Sequence, residues 1–227
     1  MKKYKFVPKE FDSDSGILKF SETDEQLSVA AGQDKRKIRS TSRAALILNR
    51  VMFNLGQEIE SFTSNDPYRV GLYLALEPGP ISHSVVRDLA RQSEESFSQN
   101  FIHLYPPKQH FKTLICMGAA AVSIANNIRG PVNSYHDFYT GAKDAFCQAN
   151  MDLECNRIDL AIVGSVMSLE DELLTSKVLA LRPKNMILSE GCAIVLLTKP
   201  ELIEECTKKK DQKYFYGIAD PLMGVGE

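Results

Sequence analysis

Two near-continuous apolar runs stand out along the chain, residues 68–76 and 158–163, with stretches between them whose apolar positions recur every three or four residues. The first run, rich in β-formers, stops at Glu77-Pro78-Gly79-Pro80; the second is broken only by Asp159 and closes at Gly164. Uninterrupted runs of this length suit strands buried on both faces of a largely parallel sheet. Before the second run, the breaker pair Gly130-Pro131 releases a short extended segment, residues 132–136. Thr140 and Gly141 then open a helix whose buried face is predicted to carry Ala142, Ala145, Phe146, Ala149 and Leu153. Residues 129–164 thus read as strand, helix, strand, for which a right-handed crossover is the default.

The same pattern extends outward. Thr41 or Ser42 can cap a helix running through Ala45, Leu48, Met52 and Leu55, ended by Gly56 or by the loop before Tyr68, and Asn65-Asp66-Pro67 is turn chemistry. A second helix is predicted over 81–97. A long one is predicted over 111–128, its small residues Gly118 to Ala121 suiting burial on more than one side. Residues 168–186 read as irregular with a short helix near 169–174, and 189–197 as a turn running into a strand. A short helix over 200–207, a charged loop over 208–213, a last strand over 214–219 and a frayed end follow. Residues 1–40 are the least regular: Lys5-Phe6-Val7 suits a short strand ended by Pro8, and 12–32 an extended arm or loop. The prediction is an α/β fold with a mostly parallel central sheet flanked by helices, made of an irregular arm (1–34) and a single domain (35–227).

Composition narrows the function classes. A net charge of −2 and a pI near 6.1 argue against nucleic acid as partner. No apolar run reaches a membrane span and the start has no signal-peptide core, so no membrane partner is expected and the cytoplasm is the default address. Five cysteines lie scattered without ligand spacing, so no metal site and no cofactor is expected. Cys116 and Cys192 read as core residues, and Cys147 as lying on or near the buried helix face. The run 34–39, with four positive charges, reads as solvated surface or as a docking patch for an acidic partner, and Arg129 as a surface or interface cation. Glu190-Gly191 reads as turn geometry in which the carboxylate accepts hydrogen bonds.

The order of these pieces resembles the N-terminal half of the β-ketoacyl synthases, which have the thiolase fold. Three pieces carry the resemblance: the small-residue helix leading into Ile128-Arg129-Gly130-Pro131; the turn 134–141 followed by the run 158–164; and 188–196, Leu-Ser-Glu-Gly-Cys-Ala-Ile-Val-Leu. Residues 35–48 also look like the family's basic helix start, and the similarity spans roughly 35–219. By this resemblance the family's nucleophilic cysteine falls on Tyr139. A thiol at a helix N-terminus has a lowered pKa and attacks a thioester; a phenol, with a pKa of about 10, does not. The resemblance also places the family's paired histidines in a second half, beyond this sequence, and His83, His103, His110 and His136 do not take their positions.

The resemblance therefore implies a chain-length-factor-like, non-catalytic subunit, with no catalytic residue of its own. It would pair as a heterodimer with an active β-ketoacyl synthase and meet acyl carrier protein indirectly, in polyketide, polyene or fatty-acid biosynthesis. Val132, Asn133, Ser134, Tyr135, His136, Asp137, Phe138 and Tyr139 would form the tunnel wall or subunit interface. Tyr139 reads either as a plug in an acyl tunnel or as core filling. Two other readings stay open: an acyltransferase or thiolase-like enzyme with a rewired site around His136, Asp137 and a cysteine, and a stand-alone lipid-binding or scaffold domain.

Overall fold

The computed structural model describes residues 9–13, 17–31, 40–80, 83–136, 140–181, 187–199 and 202. Much of the predicted arm is ordered structure. Strands β1 (Lys9–Asp12) and β2 (Ile17–Phe20) pair antiparallel, and α1 (Asp24–Ala30) follows, with Thr23 and Gln26 forming a capping box. Local apolar content is too low to reveal this, because among the described residues the fully buried apolar side chains here are Ile17 and Leu27, with Phe20 partly buried against the core. Further hold comes from partners about 170 residues away in sequence: Glu190 N–H donates to Leu18 O at 2.8 Å, and Phe20 N–H to the Glu190 carboxylate at 2.6 Å. The predicted elements at 5–7, 34–39, 203–219 and the frayed end lie outside the described residues.

Ser42 caps α2 (Arg43–Asn54), whose Ala44 to Asn49 and Met52 are buried, and α3 (Gly56–Thr63) continues after a bend at Leu55. The Asp66 side chain accepts from Tyr68 N–H and turns the chain into β3 (Val70–Leu76), buried at every position. The helix predicted over 81–97 is instead two, α4 (His83–Ala90) and α5 (Glu94–Leu104), because Ser93 starts a new N-cap. The long helix over 111–128 is likewise divided: Leu114 is extended between α6 (Pro107–Thr113) and α7 (Ile115–Ala125). α7 is buried on one side only, through Gly118, Ala119, Val122 and Ser123, with Cys116, Met117 and Ile124 in solvent.

The crossover unit forms as predicted: β4 (Val132–Tyr135), α8 (Gly141–Glu154) and β5 (Leu160–Met167). β5 does not end at Gly164 but runs through it. A Cβ there would lie 2.8 Å from Leu74 Cδ2 and 3.3 Å from Leu48 Cδ2, so the glycine serves close packing of α2 on the sheet. The helix predicted near 169–174 is longer and later, α9 (Glu172–Leu181), with Asp171 Oδ1 accepting from Leu174 N–H at 2.7 Å. β6 (Leu188–Ser189) joins β2 in parallel, and β7 (Gly191–Thr198) returns to the main sheet.

That sheet has the order β4-β3-β5-β7; β4, β3 and β5 are parallel and β7 is antiparallel. The fold is α/β as predicted, with a mixed rather than purely parallel sheet. One face packs on α2 and α7, forming the larger core; α8 covers the other, where Tyr73, Ala145, Ala149, Ile158 and Ala161 form a second core.

Candidate functional site

In a parallel sheet the strand ends point the same way, and the crevice beyond their C-termini is where ligands bind in open α/β folds. Here a cleft of about 210 Å³ opens at that edge. Ala75 to Pro78 at the end of β3 form its floor, Ser165 to Met167 of β5 and Leu174 of α9 one side, and His136 after β4 with Ala142 in the first turn of α8 the other. The lining is mostly apolar, with Glu77, His136 and Ser165 as its polar members.

Of the residues proposed from sequence for the tunnel or interface, Val132, Asn133, Ser134 and Tyr135 form the edge strand of the sheet, and His136 sits exposed at the cleft. Asp137, Phe138 and Tyr139 lie outside the described residues; their flanking neighbours His136 and Ala142 both line the cleft. At the other end of β4, Gly130 approaches β3 so closely that a Cβ would fall 2.4 Å from Val70 O. Tyr135 packs against the second core; burial first, and then the negative charges of Asp144 and Asp152, push its phenol pKa up.

The helix face predicted for α8 is partly wrong. Ala145, Ala149 and Leu153 are buried with Gly141 and Asp152, whereas Ala142, Phe146 and Cys147 are exposed. Burial instead follows the polar network beneath: Tyr73 O–H donates to Asp152 Oδ2 at 2.6 Å, and Gln148 Nε2 and Arg157 Nη1 donate to Asp152 Oδ1 at 3.2 and 3.1 Å. Desolvation, then the carboxylate of Asp152, raise the Tyr73 phenol well above its usual range, so it stays a donor. Cys116, predicted in the core, is also exposed, because α7 buries one side only. Cys192 is partly buried against the larger core, and desolvation pushes its thiol up to about 12. Among the described residues, no cysteine lines the cleft.

Glu190 fulfils its predicted role. At 1% exposure its carboxylate accepts from Phe20 N–H and from Arg43 Nε (2.6 Å) and Nη2 (3.0 Å), while Arg43 Nη1 also donates to Asp24 at 2.8 Å. This cluster ties β2, α1, α2 and the turn before β7 together. Asp159, noted as the charge in the second apolar run, accepts a bidentate pair from Arg69, from Nε at 2.5 Å and Nη2 at 2.6 Å, which holds its carboxyl below the usual range. Arg129 is exposed, its guanidinium 6.0 Å from the Tyr68 ring centroid.

Sequence reasoning missed Glu77. It is buried at the end of β3, accepting from Ser168 N–H (2.6 Å), the Ser168 hydroxyl and Leu169 N–H (3.2 Å). The available signal was a carboxylate placed directly after seven buried strand positions. Among the described residues, no group of three or more His, Cys, Asp or Glu could hold a metal ion, and no helix is long and apolar enough to cross a membrane.

No protein-family model and no curated protein matches the sequence. Solved structures do match, ketosynthases among them. A β-ketoacyl synthase from Burkholderia phymatum STM815 superposes with a TM-score of 0.62 at 13% identity, over 84% of this chain and 49% of that one. A type II polyketide acyl-carrier protein in complex with its ketosynthase bound to a hexaketide gives 0.61 at 15% identity, over 76% and 51%. The ketosynthase from module 6 of the bacillaene synthase of Bacillus subtilis 168 gives 0.52 at 13%, over 86% and 34%. The fold is therefore ketosynthase-like, of the thiolase type, and the chain spans about half the length of the first two structures.

Proposed function

We propose that this chain is a non-catalytic, chain-length-factor-like subunit that pairs with an active β-ketoacyl synthase and shapes its acyl tunnel, in polyketide, polyene or fatty-acid biosynthesis. The observation that carries the reading is the position of the cleft. It lies at the C-terminal ends of β3 and β5 and against the first turn of α8, in a chain whose solved likenesses are ketosynthases. By the family resemblance, the residue between His136 and Ala142 that would be the attacking cysteine is Tyr139, a phenol of high pKa with a ring that fills space. A mostly apolar cleft suits an acyl chain.

The partner reading draws on β4. It is an edge strand paired only with β3 among the described residues, and Val132 is exposed. An open edge is a template for strand addition by another subunit. Acyl carrier protein, present with its ketosynthase in one of the similar structures, would be met through that partner.

A second reading has one observation in its favour: His136 and Glu77 line the same cleft, as a rewired acyltransferase would need. Cys116 and Cys147, the nucleophiles considered for it from sequence, are not among the cleft-lining residues. Incubation with a reactive acyl thioester followed by intact-mass measurement separates the two. The proposed function predicts no stoichiometric adduct. A stable adduct abolished by His136→Ala and retained in Cys116→Ala and Cys147→Ala favours the enzyme reading instead.

A further inference from the structure

α8 covers the smaller core with one face and leaves the opposite face in solvent. Its buried positions are Gly141, Ala145, Ala149, Asp152 and Leu153. The other side carries Lys143, Phe146, Cys147, Asn150, Met151 and Glu154, which recur every three or four residues and so form a single stripe. All but the half-buried Asn150 are exposed, Phe146 by 41% and Met151 by 56%. The stripe is therefore apolar in its middle, with a cation at its start and an anion at its end.

The placement of those two charges is unfavourable within the helix itself. Lys143 is the third residue of α8, near the unpaired N–H groups, and Glu154 is its last, near the unpaired carbonyls. Both oppose the helix dipole, which favours anions at the start and cations at the end. Neither has an ion-pair partner among the described residues. The neighbouring charges are already engaged: Asp144 accepts from the Thr140 hydroxyl at 3.0 Å, and Arg157 donates to Asp152 at 3.1 Å.

The spacing supplies what would complement them. Lys143 with Glu154, Phe146 with Met151, and Cys147 with Asn150 are placed symmetrically about one point, midway between Gln148 and Ala149. A two-fold axis through that point brings a second α8 alongside in antiparallel, and each residue then meets the other member of its own pair. Lys143 faces Glu154 at both ends, and Phe146 lies against the Met151 thioether, a favourable sulfur–aromatic contact. A parallel arrangement would set Lys143 against Lys143 and Glu154 against Glu154, which like-charge repulsion disfavours.

We propose that the solvent face of α8 is a homodimer interface, closed by a second copy of this chain in antiparallel about the point between Gln148 and Ala149. A helix of 14 residues is about 21 Å long, which places the contact at the small end of specific interfaces, so association is micromolar and reversible. This face points away from the sheet whereas the open edge of β4 lies in its plane, so the inference is independent of the proposed pairing with a ketosynthase.

Sedimentation equilibrium of the full chain alone, from about 1 to about 200 micromolar, should show a monomer–dimer equilibrium. Lys143→Glu or Glu154→Lys, each altering two symmetric contacts, should weaken dimerisation about tenfold, and the double variant should restore it to within about twofold. Both substitutions suit the helix dipole, so the fold survives them. Bis-maleimidoethane should join Cys147 to Cys147, whose two copies stand about 4.5 Å apart along the helix direction, while those of Cys155 stand about 20 Å apart. A chain that stays monomeric throughout that range overturns the proposal. So does a dimer that neither single substitution weakens, a double variant as weak as the single ones, or cross-links through Cys116 or Cys155 in place of Cys147.

Discussion

At the scale of single residues, the strongest commitment in the chain is Arg43. Its guanidinium reaches Glu190, Asp24 and the backbone oxygens of Phe20 and Glu22, joining the N-terminal hairpin to the main body. Removing it leaves Glu190 buried and uncompensated, and breaking one partner of a buried pair costs about 3–5 kcal/mol. Arg43→Ala should therefore lower the free energy of unfolding, read from urea titration, by an amount in that range; a change below about 1 kcal/mol would show that solvent replaces the pair. The cysteines make a second test at this scale. Cys116, Cys147 and Cys155 are exposed, while the Cys192 thiol is desolvated and pushed up to about 12, so it carries almost no thiolate at neutral pH. Maleimide labelling of the native chain with peptide mapping should modify the first three promptly and Cys192 only on unfolding. Prompt labelling of Cys192 would contradict the packing of β7 on the larger core.

At the scale of elements, β4 is where structure and proposed function meet. Leu72 N–H donates to Pro131 O at 2.8 Å with Leu72 opposite Val132. In parallel pairing this turns the N–H groups of Asn133 and Tyr135 toward β3 and those of Val132 and Ser134 toward the open edge. Ser134→Pro thus removes an outward donor and leaves the β3 ladder intact, as proline on an edge strand can. It should weaken association with the proposed ketosynthase partner by about tenfold, roughly one lost hydrogen bond, while the melting temperature changes little. Unchanged association would move the interface away from β4. Element by element, what the sequence pattern reveals is what local burial dictates. β3, β5, α2 with its Ser42 cap and α8 all follow from apolar runs or apolar periodicity. The breaks at Ser93 and Leu114 escape it because α4, α5 and α6 contain no fully buried residue, so no buried face marks their limits. The β1–β2 hairpin escapes it because its partners, Glu190 and β6, are remote in sequence.

At the scale of the whole molecule, the order of elements was the readable part of the site: a strand, a turn into α8, and β5 were placed from residues 129–164, and the cleft lies where they meet. Glu77 and the segment after β5 that it holds were not readable, because a carboxylate after a strand looks like an ordinary solvated end until the packing buries it. The body that results is asymmetric. The face of the sheet toward α2 and α7 holds a large core, while the face toward α8 holds a small one, with Phe146 and Met151 of α8 left in solvent. The proposed function reads β4, an open edge among the described residues, as the place where a partner subunit adds its strand. The most direct test of that reading is co-expression with a full-length β-ketoacyl synthase from the same source organism, followed by size-exclusion chromatography of the mixture. The proposed function predicts one peak containing both chains in equal amounts. Elution of the two chains as separate peaks, at concentrations well above micromolar, would contradict it.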